Sequence, residues 1–297
     1  LTAVLPDTAH ADPVPPTTPL TSDPWTPPKH DPVVWRDDLW TRVKPWEDVM
    51  TIALALGSGV VSEATVSPTH PRWTGPILFD TAARNTFRLS SDKARSEAGV
   101  ASDVMYYGNT FYPVLVDVAA VTLIARHSPD AAWEEFSIDA EAFAISGLVA
   151  AATQRFVARE RPFVKPCQAH PNNDDCAFTP GVENVSFLSG HEAMSFTGAM
   201  LTCFHHRYLH LYDSKAADAG ICAALLATAT TTGFLRMMSD RHYASDVLAG
   251  SAVGLTVGYF VPAAHYTVMH PHILGEQTLI LPNVSANQGG LTLMGTF

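Results

Sequence analysis

The chain has 297 residues, of which 47% are hydrophobic and only 16% charged, which excludes intrinsic disorder and allows a sizeable core. Lys and Arg number 18 against 29 Asp and Glu, a formal charge of −11, so general binding to the phosphate backbones of nucleic acid is excluded. A local basic pocket for a small anion is still compatible with that balance.

Residues 1–32 hold nine of the 22 prolines and read as an extended arm. Trp25, Trp35, Trp40 and Trp46 punctuate its second half and the segment after it. Bare tryptophans on a free tail cost solubility, so the arm is expected to lie against the domain; a platform for a partner is the alternative. Ala9-His10-Ala11 resembles the small-x-small end of a secretory signal, and the chain begins at Leu1 rather than Met. Both features point to a processed or truncated chain and to export, periplasmic or extracellular.

From Pro45 onward the pattern turns helical. The predicted helices are Trp46–Ser62, Val100–His127, Ala131 or Ile138 to Arg159, Gly190–Leu211, Ser214–Met238 and Ala244–Met269. Asp213-Ser214 is a natural N-cap, and Pro129 and Pro162 mark stops. Thr65–Gly99, with three prolines, reads as a long loop containing a short helix. At the end, Thr278–Leu281 and Leu291–Met294 flank Asn287–Gly290 and predict a small β-hairpin. The expected organisation is therefore an arm over 1–45, a helical domain over 46–270 and a tail over 271–297. The fold class is all-α, a helical bundle. Arm and tail are the surfaces through which a homo-oligomer would form.

Ala219–Leu235 and Val247–Ala264 are the longest uncharged runs, 17 and 18 residues, at the lower edge of a membrane span. They are rich in Ala, Gly and Thr, basic flanks are sparse, and Asp117, Asp139 and Glu141 interrupt or adjoin other apolar stretches. These features favour buried helices of a soluble bundle over a membrane-associated one.

Cys167 and Cys176 sit in one polar loop and are expected to form a disulfide, which implies an oxidising compartment. Cys203 and Cys222 fall in apolar helical stretches and are expected to be core residues. No Cys or His spacing of the zinc type occurs, so no metal site is expected. His206 and His210 share a helix face at metal-ligand spacing, but without a third ligand they and His205 read as surface or interface histidines.

Three blocks at helix ends carry chemistry. The first runs from Gln154 to Arg161-Pro162, the second is Ser189-Gly190-His191 opening a helix, and the third spans Arg236, His242 and Asp246. Free backbone N–H groups at Ser189-Gly190 suit a phosphate-like oxyanion. Arg161 and Arg236 offer guanidinium forks that match phosphate oxygens in pairs. Asp246, four residues beyond His242, can bond one imidazole nitrogen and leave the other as nucleophile or base. His191 is available as a general acid. Together these parts suit metal-free phosphoryl transfer.

In this order the blocks resemble the type 2 phosphatidic acid phosphatase (PAP2) superfamily, which includes bacterial class A acid phosphatases, lipid phosphate phosphatases and vanadium haloperoxidases. The resemblance covers about Ala131–Met269 and rests on Arg161-Pro162, Ser189-Gly190-His191, Arg236, His242 and Asp246. It implies a helical bundle of the PAP2/haloperoxidase type, with His242 phosphorylated, Asp246 orienting it and His191 protonating the leaving oxygen. Arg161, Arg236, Ser189 and the Gly190 amide would hold the phosphate oxygens. The resemblance further implies a phosphate-ester substrate, lipid among the candidates, and no cofactor for hydrolysis; vanadate would enter only in the haloperoxidase branch. Leu188 stands for a family Pro, Leu235 for a Ser, and Gln154 for the family Lys. Loss of that cation is worth on the order of 10²–10³ in rate. Arg155 is rotated by about 100° and points away, whereas Arg159 is a cation that could act from another direction. Three readings follow: a phosphatase, an impaired relative with a structural or binding role, and a haloperoxidase. Thr65–Gly99, Lys165–Val185 and the arm are the candidate lids.

Overall fold

The computed structural model describes residues 31–59, 68–173, 176 and 181–266, and the backbone of 279–285 and 288–294. The Pro-rich arm up to residue 30, with Trp25 and Ala9-His10-Ala11, lies outside the described residues. The chain divides into two units, Leu1–Asp31 and Pro32–Phe297. The reason is the stretch that follows Asp31. Trp35 is buried and packs its ring edge-on to Trp40 and against Tyr266, with centroids 5.1 and 5.2 Å away. Arg42 then bonds Asp130 at 2.8 Å and Glu134 at 3.0 Å.

The helices are α1 (Pro45–Gly59), α2 (Asp80–Phe87), α3 (Asp92–Tyr112), α4 (Pro129–Val157), α5 (Val164–Ala169), α6 (Gly190–Leu209), α7 (Lys215–Met238) and α8 (Ala244–Tyr266). A π-helical stretch, Pro113–Ala125, continues α3. The helix predicted from Val100 thus begins eight residues earlier, because Ser91 caps it by accepting from the Ala94 amide at 3.4 Å. Ser214 caps α7 in the same way, through the Ala217 amide. Pro129 sits in the first turn of α4, where its missing N–H costs nothing. In the tail, β1 (Leu279–Ser285) pairs antiparallel with β2 (Gln288–Met294), Leu279 opposite Met294.

Helix α6 is the axis of the bundle and packs against α3, α4, α7 and α8. Its contact with α8 is close because Gly250 and Gly254 lack side chains. A Cβ there would lie 2.4 Å from the Ser189 carbonyl oxygen and 2.3 Å from that of Ala193.

Four helical segments, Asp92–Ala125, Pro129–Val157, Lys215–Met238 and Ala244–Tyr266, are long and apolar enough to cross a membrane, and only 28–39% of each apolar window is buried inside the protein. Val104, Phe111, Leu115, Ile124, Phe156, Leu248 and Phe260 all point outward. The expectation of a soluble bundle is therefore corrected: this is a membrane-associated protein. The acidic residues that suggested otherwise turn inward. Asp117 accepts from Thr202 at 2.8 Å and contacts His206 at 3.1 Å, and Asp139 contacts His205 at 2.8 Å. His205 and His206 are fully buried, not surface histidines. Both nitrogens of His206 are taken by carboxylates, Asp218 and Asp117, which leaves no lone pair for a metal.

Cys167 and Cys176 form the expected disulfide. Cys203 and Cys222 form a second one, so they are not simple core thiols: α6 and α7 bring their Cα atoms to 4.7 Å.

Candidate active site

The chain between α7 and α8 is folded around one carbonyl. Arg236, in the last turn of α7, accepts through its backbone oxygen from the amides of Arg241 at 3.0 Å and His242 at 3.3 Å. Asp240, in the left-handed region at φ 59°, accepts from Arg84 at 2.6 Å and Arg88 at 2.9 Å, which ties α2 to this turn. The described part of Thr65–Gly99 is thus a brace for the site rather than a lid. Asp246, in the first turn of α8, accepts from the Tyr243 amide at 2.9 Å, from Ser186 Oγ at 2.6 Å and from Arg159 at 2.5 Å.

These three bonds explain a departure from expectation. Asp246 does not hydrogen-bond His242: its carboxylate stands 3.8 Å from Nδ1, with its lone pairs already engaged. The Ser186 carbonyl takes the Nδ1 proton instead, at 2.8 Å. The outcome for the ring is the one the carboxylate was expected to produce. With the proton on Nδ1, Nε2 carries the lone pair, and it is buried with no partner among the described residues. Burial first, then the Arg161 charge, holds the His242 imidazole down to about 3.

Ser186 is the clasp that joins the blocks, and nothing in the sequence marked it. Its amide donates to the Arg159 carbonyl at 3.0 Å, its carbonyl receives His242, and its hydroxyl reaches Asp246. Three residues on, the Ser189 amide donates to the Asp246 carbonyl at 3.0 Å, so the start of α6 is fastened to the start of α8. Ser189 Oγ, Arg161 Nε and Arg236 Nε are buried without partners among the described residues, as is His242 Nε2. Burial and the Arg236 and Arg241 guanidiniums depress Arg161 to about 9, the mark of cations gathered without enough counter-charge. An anion would relieve that imbalance.

Arg159 does not supply the missing cation. Both ends of its guanidinium fork are taken, by Asp246, Ser245, Asp80 and the Gly75 carbonyl, and it lies against the Trp73 and Tyr243 rings; only its Nε is without a partner among the described residues. Gln154 stands at the turn itself. Its amide donates to the Leu188 carbonyl at 3.0 Å and lies 3.2 Å from where a Cβ on Gly190 would be. Gln154→Lys is expected to place an ammonium at that turn and tighten inhibition by orthovanadate about tenfold. An inhibition titration that weakens instead would identify the Gln154–Leu188 bond as a tuned part of the site.

His191, in the first turn of α6, contacts Asp103 through Nε2 at 2.9 Å and lies against the Tyr106 ring, 4.5 Å between centroids. Asp103 also accepts from Arg236 at 2.9 Å. Asp103, Ser186 and Asp80 escaped the sequence reading because each is distant in sequence from the group it serves.

A profile of the PAP2 superfamily matches residues 139–270. Lipid A 1-phosphatase of Porphyromonas gingivalis is 40% identical over 78 residues, covering 26% of this chain and 16% of that protein. Phospholipid phosphatase-related protein type 1 of Homo sapiens is 32% identical over 103 residues, covering 32% of each. The chain therefore spans no more than about a third of these curated relatives. Among solved structures, the first transmembrane PAP2 type phosphatidylglycerolphosphate phosphatase from Bacillus subtilis aligns with a TM-score of 0.45 and 18% identity, over 73% of this chain and 94% of that one.

Proposed function

Residues 139–270 belong to the PAP2 superfamily, and from that premise we propose that the protein is a metal-independent phosphatase acting through a phosphohistidine. The observation that carries the reading is the set of buried, unpartnered polar atoms on Arg161, Ser189, Arg236 and His242. Three of them are donors suited to phosphate oxygens and the fourth is a nucleophilic nitrogen. His242 Nε2 bonds to phosphorus while the ester P–O bond breaks, and His191 protonates the departing oxygen. Water then cleaves the phosphohistidine and releases orthophosphate. Arg161, Arg236, Ser189 Oγ and the Gly190 amide hold the oxygens where charge is greatest in the transition state. No cofactor is needed for this route.

The substrate class we infer is a lipid phosphate or diphosphate. Val100, Val104, Tyr107 and Phe111 form an exposed apolar stripe on α3, on the helix that carries Asp103 to His191. A leaving group held at His191 would thus meet a surface suited to acyl or prenyl chains. The Cys167–Cys176 disulfide, in the loop that follows Arg161, supports an oxidising compartment for the catalytic end. The test is release of orthophosphate from a short-chain lipid phosphate in detergent micelles, with chelator present, together with trapping of a base-stable, acid-labile phosphoenzyme. Turnover that requires an added divalent ion, or no turnover on any ester or diphosphate, overturns the reading.

The state of the nucleophile gives a separate check. His242 is held near 3, below its ordinary 6.5. Its contribution to stability is therefore complete above about pH 6.5 and is lost as the pH falls toward 3. Nitrogen NMR of ring-labelled histidine should show His242 still neutral at about pH 5, where an ordinary histidine is protonated. A His242 resonance that titrates near 6.5 would contradict the burial argument.

A further inference from the structure

Asp103 belongs to none of the three blocks. It lies on α3, and its side chain is 48% exposed. Yet one of its oxygens, Oδ1, receives Arg236 Nη1 at 2.9 Å and contacts His191 Nε2 at 2.9 Å. Ser102, its neighbour, accepts from the same Arg236 nitrogen at 3.1 Å, and its own hydroxyl donates to the Gly99 carbonyl at 2.6 Å. The end of the Arg236 fork is therefore fixed from α3, while its Nε remains unpartnered. The two imidazoles of the site are held in complementary ways. His242 is anchored through Nδ1 and presents Nε2. His191 is anchored through Nε2, which leaves Nδ1 for the substrate.

We propose that Asp103 is the positioning residue for the general acid, holding His191 through Nε2 so that Nδ1 delivers the proton to the departing ester oxygen. This inference rests on the phosphatase reading. As the bond from His242 Nε2 to phosphorus forms, the P–O bond to the leaving group breaks. The departing oxygen keeps the bonding pair and takes the proton from His191 Nδ1. In the second half of the reaction, a water attacks phosphorus as the P–Nε2 bond breaks; the electron pair returns to His242 Nε2, orthophosphate leaves, and the proton of the water goes back to His191 Nδ1. Because one carboxylate oxygen contacts both the proton donor and a phosphate-holding arginine, Asp103 sets the distance between acid and phosphate. Its negative charge also opposes the burial and the Arg236 charge that together hold the His191 imidazole down to about 4.

The leaving group provides the discriminating experiment, because a general acid matters for an alkoxide and hardly at all for a stable phenolate. kcat/KM is measured on the full chain in micelles, with an alkyl phosphate and with p-nitrophenyl phosphate. Asp103→Asn should lose about 10²-fold on the alkyl ester and only about threefold on the aryl ester. His191→Ala should show the same selectivity, and the double variant should be no worse than His191→Ala alone. Asp103→Glu, which keeps the charge, should recover part of the alkyl activity. Equal losses on both esters, or additive losses in the double variant, would overturn the role while leaving the phosphatase reading intact. A wild-type chain inert to both esters would defeat the phosphatase reading and this inference with it. A thermal midpoint for Asp103→Asn within a few degrees of wild type shows that the loss is not one of folding.

Discussion

Replacing His242 by alanine should lower turnover by on the order of 10⁴-fold or more, the largest catalytic effect expected in this protein. The argument comes from the isolation of one nitrogen. Nδ1 is engaged by the Ser186 carbonyl at 2.8 Å, so the ring cannot rotate without losing a buried bond, and Nε2 has no hydrogen-bond partner among the described residues. Burial and the neighbouring arginines keep the ring neutral, so no proton has to be removed before attack. A histidine that only bound the phosphate would behave differently. His242→Ala would then raise KM and leave kcat within about tenfold, because uniform binding lowers the ground and transition states together. His242→Gln sharpens the comparison: the side chain can still donate to Ser186 but cannot carry a phosphoryl group. Phosphoenzyme trapping on both variants should give nothing. A trapped phosphoenzyme in either would place the covalent step on another residue.

Much of the bundle was legible because helix ends carry local chemistry. Ser214, Pro129 and the Ser189-Gly190 pair mark boundaries that the structure places within a residue or two, since capping needs only neighbours in the chain. The three blocks proposed to hold phosphate stand out for the same reason, since each lies at a helix end. What could not be read was which face of each helix points where. In a bundle whose outer surface is as apolar as its interior, the 3.6-residue pattern loses contrast, so the inward turn of Asp117 and Asp139 was invisible. The partners that complete the site are remote: Asp103 is 88 residues from His191, and Ser186 is 56 residues from His242. The Cys203–Cys222 bond likewise depends on α6 and α7 packing side by side. Gln154 is the instructive case. Its spacing set it at the position of the family Lys, but only the fold shows its amide donating to Leu188.

Arg159→Met should destabilise the protein by about 3–5 kcal/mol, the largest effect on stability expected from a single change. The guanidinium is fully buried and sits between two buried carboxylates, with Asp246 at 2.5 Å and Asp80 at 2.7 Å. Methionine fills similar volume and keeps the contact with Trp73 and Tyr243, so the loss isolates the charge rather than the packing. Two carboxylates would then face each other without a cation. Asp80 would retain the Ser245 amide at 2.8 Å, and Asp246 would retain Ser186 and the Tyr243 amide, so each keeps hydrogen bonds but not neutralisation. That is the situation in which removing one partner costs far more than the intact pair contributes. Arg159→Lys should lie between the two, since one ammonium cannot reach both carboxylates as the fork does. Adding Asp80→Asn to Arg159→Met should recover part of the loss by removing one of the unpaired charges. Unfolding in mixed micelles measures all four proteins. If Arg159→Met falls by less than about 1 kcal/mol, water or lipid headgroups reach this cluster and the carboxylates are not buried in the sense that the geometry requires. If the double variant is no more stable than Arg159→Met, the stabilisation resides in the stacking of Arg159 between the two rings rather than in its ion pairs.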